Sequence, residues 1–325
     1  MERRLLAIVG PTATGKTEVG ILLAEGLGGE IVSADSMQVY RGLDIGTAKP
    51  SPEQRARLPH HLVDIIDPDE PFSVADYRAR ADQALADIWG RGRQPIVVGG
   101  SGLYVRAIID EMDFLVPPDP DLRRRLTEEA RTLGLPALHA RLAKLDPQAA
   151  TRIHPNDGKR IIRAFEVATR LAAEARLGVA ARARRPASSL QPVDRSRAPR
   201  YNTSQFGLTL SRPELYRRIE VRVDGMVAQG LVEEVSNLVA RGYSEGLVSM
   251  KGLGYAQIAE HLRGEVSLEE AVAKLKRDTR RFAKRQLTWF RADPRIEWID
   301  VEQAGGSAGA AEVIARRWKQ SRPRG

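Results

Sequence analysis

The chain has 325 residues, of which 42% are hydrophobic, and this is enough for one to three domains with buried cores. Lysine and arginine number 51 against 42 aspartates and glutamates, and the resulting net charge of +9 favours an anionic partner such as a nucleic acid or a phosphorylated molecule. The absence of cysteine excludes disulfides, cysteine-ligated metal sites and thiol catalysis. Because no signal-peptide pattern and no apolar run of roughly 20 residues is present, we expect a cytoplasmic protein that does not enter a membrane.

The N-terminal part alternates short apolar runs with segments of helical periodicity. Apolar runs that end at glycine or at a polar residue are typical of buried strands, and the intervening segments are typical of helices. We therefore predict an α/β fold, a parallel sheet like that of P-loop NTPases flanked by helices. The predicted strands are residues 5–9, 30–34 and 95–98, and the predicted helices are Lys16–Leu27, residues 76–89 and residues 101–109.

The composition changes at the proline-rich stretch 116–120. Residues 121–177 have helical periodicity and no strand pattern, so we predict that 117–201 is an inserted all-helical domain. Residues 1–116 and 202–325 then form the catalytic core. Within the insertion, residues 178–200 have few large apolar side chains and are predicted to be a mobile loop or hinge.

Strand character resumes at residues 206–210. A long helix is predicted over residues 214–241, a helix with a basic face over Leu268–Arg291, and a last strand over Ile296–Asp300. Residues 305–311 resemble a linker before a basic tail.

Residues 10–17 read GPTATGKT and match the phosphate-binding pattern G-x-x-x-x-G-K-[ST] between a predicted strand and helix. Its glycines let backbone N–H groups surround phosphate oxygens, the lysine neutralises phosphate charge, and the last hydroxyl is a ligand for Mg²⁺. The loop predicts a bound diphosphate or triphosphate without identifying the molecule that carries it. The predicted phosphate-binding residues are Gly10, Pro11, Thr12, Ala13, Thr14, Gly15, Lys16 and Thr17.

P-loop NTPases usually carry an acidic residue after a strand that faces the loop. The strand at 95–98 is instead followed by Gly99, Gly100, Ser101 and Gly102, which argues against an NTPase. Asp35 follows the strand at 30–34, whose carboxyl end lies on the same edge of the sheet as the phosphate loop. From position alone Asp35 is either a general base or an indirect metal ligand, or a residue that caps a helix.

Several segments resemble the bacterial tRNA dimethylallyltransferases (tRNA isopentenyltransferases) from about residue 5 to residue 298. The stretch at 33–50 and the H-P-N-D sequence at 154–157 are the most specific. The segments are GPTATGKT, SADSMQVYRGLDIGTAKP, PHHLVDIIDP, VGGSGLYVRA, RIHPNDGKRIIRAFEV and KRQLTWFR.

This resemblance implies that dimethylallyl diphosphate donates its five-carbon group to N6 of the adenosine immediately 3′ of the anticodon, with release of diphosphate. It implies that Asp35 is the general base, that Arg222 helps to hold the diphosphate, and that Lys16 and Thr17 with Mg²⁺ stabilise the leaving group. Ser101, where the family more often has threonine, and Arg123 match positions of the tRNA-contacting channel. The resemblance also implies that the inserted domain 117–201 contacts tRNA. We expect a monomer that binds the anticodon stem-loop.

The stacked target base must be turned out of the RNA loop, which requires cations for the backbone and polar groups for the base edges. Gln38 has an amide suited to a base edge. The helix Leu268–Arg291 adds the cations Lys274, Lys276, Arg277, Arg280, Arg281, Lys284 and Arg285. The predicted tRNA-binding residues are Asp35, Ser36, Met37, Gln38, Ser101, Arg123, Lys159, Arg160, Ile161, Ile162, Arg163, Lys251, Gly252, Leu253, Gly254, Tyr255 and Ala256.

Two alternatives remain open. A small-molecule P-loop kinase would use the same loop for ATP and Asp35 as base, and would consume ATP without RNA. A non-catalytic nucleic-acid-binding protein would neither consume ATP nor transfer a prenyl group, and would keep its RNA affinity after loss of Asp35.

Overall fold

The computed structural model describes residues 3–112, 116–176 and 199–321. Its centre is a six-stranded sheet in the order β3-β2-β4-β1-β5-β6, and every pair of neighbouring strands is parallel. The α/β prediction is therefore confirmed. The strands are β1 (Arg4–Val9), β2 (Gly29–Ser33), β3 (His60–His61), β4 (Gln94–Gly99), β5 (Asn202–Thr209) and β6 (Ile296–Asp300).

Helices connect the strands, and a short 3-10 turn, Ser249–Lys251, precedes α11. Several helices begin at a serine whose hydroxyl caps the first turn: Ser73 and Ser267 both form capping boxes. The helices are α1 (Lys16–Leu27), α2 (Pro52–Arg57), α3 (Val74–Gly90), α4 (Gly102–Ile109), α5 (Pro120–Leu133), α6 (Leu135–Leu145), α7 (Pro147–Arg152), α8 (Gly158–Arg176), α9 (Arg212–Ala228), α10 (Leu231–Ala240), α11 (Tyr255–Leu262), α12 (Leu268–Arg291) and α13 (Gly306–Gln320).

The register of the sheet places three chain segments at one edge. Ile8 of β1 pairs with Val98 of β4 on one side and with Phe206 of β5 on the other, and Ser33 of β2 also pairs with Val98. Because the strands are parallel, the loops that follow β1, β2 and β4 all leave at the carboxyl edge of the sheet. All six residues of β1 are buried, as expected for a strand covered on both faces.

The chain divides into two compact units, residues 1–109 with 199–325, and residues 110–198. The second unit contains α5–α8 around its own core, which includes Leu126, Leu138, Leu142 and Phe165. Most of the predicted hinge at 178–200 lies outside the described residues. The predicted RNA-binding role of the insertion stays a prediction. Within the described ranges, no helix is long and apolar enough to cross a membrane.

Two predictions at the C-terminal side are wrong. The helix predicted over 214–241 is interrupted, because Gly230 adopts a φ of +99° and separates α9 from α10. The linker predicted at 305–311 is instead the beginning of α13, whose Ala310, Ala311 and Ile314 are buried against the sheet layer. Tertiary packing outweighs the poor helix propensity of the glycines in this segment.

Trp318 on α13 tests the structural role of this helix. Its side chain is 2% exposed, and the Arg4 guanidinium lies 3.7 Å from the ring centroid. We expect Trp318→Ala to lower the free energy of unfolding by about 3–5 kcal/mol, because a large buried side chain is lost. Denaturant titration measures this change. Trp289→Ala, at a position that is 39% exposed, is the control and is expected to cost less; equal costs would contradict a buried α13.

Candidate active site at the carboxyl edge of the sheet

The phosphate loop connects β1 to α1 and is held together by its own hydrogen bonds. Thr14, which is fully buried, donates from its hydroxyl to the carbonyl of Pro11 at 2.9 Å. Lys16 curls back over the loop, and its Nζ donates to the same carbonyl at 2.6 Å. The lysine charge therefore lies over the concave side of the loop, where phosphate oxygens would bind.

Gln286 of α12 joins this loop to the loop after β4. Its Oε1 accepts from the N–H of Thr12 at 2.9 Å, and its Nε2 donates to the carbonyl of Gly100 at 2.9 Å. The side chain is 6% exposed, so both bonds are shielded from water. Sequence analysis missed this residue, although a lone glutamine on the buried side of a basic helix was a usable signal.

Close packing explains why the turn after β4 is rich in glycine. A β-carbon on Gly99 would lie 2.1 Å from the carbonyl oxygen of Ala34, and one on Gly100 would lie 2.3 Å from Gln286 Nε2. A β-carbon on Gly102 would lie 2.1 Å from the indole nitrogen of Trp289. A side chain at Gly99 would overlap fixed backbone, and one at Gly100 or Gly102 would displace Gln286 or Trp289, so packing disfavours an acidic residue in this turn.

Asp35 follows β2 at the same edge. Its Oδ1 accepts from the N–H of Met37 at 2.9 Å, which stabilises the turn that the chain makes here. The next residue is fixed from the β4 side, because Ser36 N donates to the Ser101 hydroxyl at 2.9 Å and Ser101 donates to the Ser36 hydroxyl at 3.1 Å. The segment 36–48 contains no helix, so Asp35 caps a turn and not a helix.

Asp35, Lys16 and Arg222 lie close enough to influence one another electrostatically. Burial and the positive charge of Arg222 together lower the pKa of Lys16 to about 7, although the negative charge of Asp35 opposes the shift. Burial also lowers the pKa of Arg222, again against the charge of Asp35. The Arg222 side chain forms neither an ion pair nor a hydrogen bond with any described residue. Two neighbouring cations with one carboxylate nearby are an arrangement that suits a bound anion.

Two tyrosines stand beside Asp35. Tyr77 and Tyr104 stack with ring centroids 3.8 Å apart, and the Tyr77 hydroxyl donates to the carbonyl of Ser33 at 2.9 Å. Burial raises the pKa of Tyr104, and the nearby charges of Tyr40 and Asp35 raise it further, so the phenol is neutral. The acid therefore has an apolar, aromatic neighbourhood on this side.

The metal prediction rests on Thr17 in the first turn of α1. Its hydroxyl makes no hydrogen bond to any described residue and is available as a ligand. Within the described ranges no group of three histidine, aspartate or glutamate side chains is arranged to hold a metal ion. The single hydroxyl of Thr17 would suit an ion such as Mg²⁺ if a bound diphosphate supplied most of its other oxygen ligands.

Two predicted tRNA-binding segments of the first unit lie next to each other. A β-carbon on Gly252 would lie 2.6 Å from Cε of Met37, so residues 251–256 pack against residues 35–38. Gln38 is already engaged, since its Oε1 accepts from Ser33 at 2.9 Å and its Nε2 donates to two backbone carbonyls. Tyr255 is fully buried, and its assignment to tRNA contact stays a prediction.

In the helical unit, Glu166 holds Arg123 and Arg163 together. Arg123 donates to both carboxylate oxygens, at 2.6 and 3.0 Å, and Arg163 donates at 2.9 Å. Burial opposes ionisation of Glu166, but these bonds outweigh it and lower its pKa. Ile161 is fully buried in the helical core, and its assignment to tRNA contact stays a prediction. The neighbouring Lys159 and Arg160 are exposed, and Ile162 packs against the core.

The basic face of α12 is only partly free. Four of its seven predicted cations pair with acids: Lys274 with Glu260, Lys276 with Asp224, Arg280 with Glu220 and Arg281 with Asp278. The other three, Arg277, Lys284 and Arg285, are exposed and form no ion pair with any described residue. Two of these three unneutralised cations directly precede Gln286, which contacts the phosphate loop.

The chain is similar over nearly its whole length to proteins of one kind. A family model described as IPP transferase matches residues 38–293, and one described as isopentenyl transferase matches residues 3–60. The tRNA dimethylallyltransferase of Desulforudis audaxviator is 54% identical over 310 residues, which are 95% of this chain and 96% of that protein.

Two solved structures share the fold. The tRNA isopentenylpyrophosphate transferase of Bacillus halodurans has a TM-score of 0.65 and 41% identity, over 98% of this chain and 100% of that one. A eukaryotic dimethylallyltransferase acting on tRNA has a TM-score of 0.76 and 25% identity, over 98% of this chain and 80% of that one. With this sequence identity, the family matches and the shared sheet, the chain belongs to the IPP transferase family.

Proposed function

We propose that this chain is a tRNA dimethylallyltransferase that transfers the dimethylallyl group of dimethylallyl diphosphate to N6 of the adenosine immediately 3′ of the anticodon. The proposal rests on the proximity of Lys16, Arg222 and Asp35, whose charges influence one another at the carboxyl edge of the sheet. The two cations suit a diphosphate leaving group, and the carboxylate suits a proton that leaves the attacking nitrogen.

The phosphate loop holds the diphosphate through its backbone N–H groups, with Lys16 and Arg222 on the phosphate oxygens. Thr17 is the protein ligand for Mg²⁺, and a bound Mg²⁺ supplies positive charge that stabilises the departing diphosphate. Because Arg222 has no other partner among the described residues, it is available to the ligand without breaking an existing ion pair.

In the reaction, N6 of adenine forms a bond to C1 of the dimethylallyl group while the C1–O bond to diphosphate breaks. The bond electrons leave with the diphosphate, and the proton from N6 passes to the carboxylate of Asp35. Ser101 and Met37 fix the turn on which this carboxylate sits. The exposed Lys251, Lys284 and Arg285 serve as contacts for RNA phosphates. The protein is expected to act as a monomer.

One experiment separates the three candidate functions. The protein is incubated with Mg²⁺, labelled dimethylallyl diphosphate and bulk tRNA, and the nucleosides are analysed; a parallel sample contains ATP without RNA. Labelled N6-dimethylallyladenosine supports the proposal. ATP consumption without RNA would support a kinase, and the absence of both reactions would leave a binding protein.

Asp35→Asn tests the base. Asparagine keeps the size of the side chain and the acceptor for Met37 N–H but cannot take a proton at neutral pH. We expect turnover to fall by about 10²–10⁴-fold while tRNA affinity stays unchanged, as measured by single-turnover kinetics and filter binding. Asp69→Asn, at an exposed position, is the control. Normal turnover in Asp35→Asn would remove the assignment.

The lowered pKa of Lys16 predicts proton uptake on donor binding. At pH 8 a lysine with a pKa of about 7 is mostly neutral, and the diphosphate favours its charged form. We therefore expect binding at pH 8 to take up as much as one proton, and affinity to rise as the pH falls from 9 to 7. Calorimetry in buffers of different ionisation enthalpy measures the uptake. Lys16→Met should abolish it and the exposed Lys251→Met should not; uptake that persists in Lys16→Met would refute the assignment.

The free cations of α12 predict the salt dependence of tRNA binding. Each phosphate contact contributes about 0.7–0.9 to the slope of log affinity against log salt concentration. We expect the double substitution of Lys284 and Arg285 by glutamine to reduce this slope by about 1–2. Lys274→Gln removes a cation that is already paired with Glu260 and should change the slope less. Equal effects would place the RNA surface elsewhere.

A further inference from the structure

Glu234 on α10 accepts four hydrogen bonds with one carboxylate. Three consecutive backbone N–H groups donate to it: those of Asp44 at 3.1 Å, Ile45 at 2.8 Å and Gly46 at 3.2 Å. The Tyr255 hydroxyl donates to it at 2.6 Å. A carboxylate is the side chain suited to this position, because both of its oxygens accept and neither donates.

The loop that Glu234 holds continues from the turn that carries Asp35. Gln38 connects the two, because its Nε2 donates to the carbonyls of Thr47 at 3.3 Å and Ala48 at 3.2 Å. Lys49 closes the far end of the loop, donating to Asp44 at 2.6 Å and to the carbonyl of Tyr40 at 2.6 Å. Displacement of residues 44–46 would therefore disturb Gln38 and the turn before it.

Tyr255 connects Glu234 to the second segment, residues 251–256. Its ring lies against Gly46, where a β-carbon would be 2.6 Å from Cε2, and against Gly252, where a β-carbon would be 3.3 Å from Cδ2. Gly252 in turn contacts Met37. Burial raises the pKa of Tyr255, and the charge of Glu234 raises it further, so the hydroxyl remains a donor at physiological pH.

We propose that Glu234 is a positioning residue for the acceptor side of the reaction. Its hydrogen bonds hold residues 35–38 and residues 251–256 in their mutual arrangement. The proposal rests on the proposed function, since it assigns these two segments to the tRNA. No hydrogen bond of Glu234 reaches the phosphate loop, whose anchors are Lys16 and Gln286. Glu234 therefore acts on the handling of RNA and not on the binding of the donor.

Glu234→Gln is the principal test. An amide of the same size places an NH₂ group against N–H donors, so at least one of the four bonds is lost and a buried donor is left unsatisfied. We expect kcat/KM for tRNA to fall by about tenfold to a hundredfold, with the Kd of dimethylallyl diphosphate changed less than about twofold. Glu233→Gln is the matched control, because Glu233 is exposed on the same helical turn. Tyr255→Phe removes a single bond and should give an intermediate loss.

Amide hydrogen exchange supplies a readout that does not depend on activity. In Glu234→Gln, exchange should rise in residues 35–48 and 251–256 and stay unchanged in residues 10–17. Equal losses of donor and tRNA binding, or faster exchange throughout the first unit, would show a general structural role and overturn the proposal. Wild-type kinetics in Glu234→Gln would overturn it as well. If the wild-type protein transferred no dimethylallyl group, the proposed function would fail instead, and the exchange pattern would still report the packing.

Discussion

At the carboxyl edge of the sheet, the backbone of Gly99 lies so close to the Ala34 carbonyl that no side chain fits between them. This contact brings the turn after β2 and the turn after β4 together, and it lets Ser101 hold Ser36. It also removes the place where a P-loop NTPase carries its acidic residue. Asp35 is thereby the acid that this edge presents beside the phosphate loop, which suits a reaction that needs a proton acceptor.

The charges of the site are arranged before any ligand arrives. Burial of Lys16 and Arg222 side by side is unfavourable in the empty protein, and the lowered pKa values of both groups express that cost. In the proposed function, a bound diphosphate offsets this cost because it supplies negative charge beside both cations. Stability of the folded chain comes from elsewhere, from the sheet core and the packing of α13 on α1. The apolar core therefore stabilises a fold in which the buried charges of Lys16 and Arg222 are unfavourable.

Much of the sheet could be predicted, because buried parallel strands such as β1 and β4 contain continuous apolar runs that end at glycine. The proximity of Asp35 to Lys16 followed from the same strand pattern. The two-residue β3 and the glycine-rich α13 carry no comparable periodic signal, since they exist through tertiary packing. Gln286 and Glu234 were missed for a related reason: their partners are distant in sequence, and a polar side chain on a helix does not reveal which loop it will meet. Ile161 and Tyr255 were assigned to RNA by their neighbours in sequence, although burial removes both from the surface.

Lys284 and Arg285, which form no ion pair within the described part of the chain, directly precede Gln286 on one unbroken 24-residue helix. The amide of Gln286 fixes that helix to the backbone of Thr12. The distance from the phosphate loop to the backbone of Lys284 and Arg285 is therefore set by covalent geometry and by the rise of the helix. It does not depend on how side chains elsewhere are arranged. A polyanion bound to Lys284 and Arg285 would therefore have a fixed position relative to a ligand of the phosphate loop.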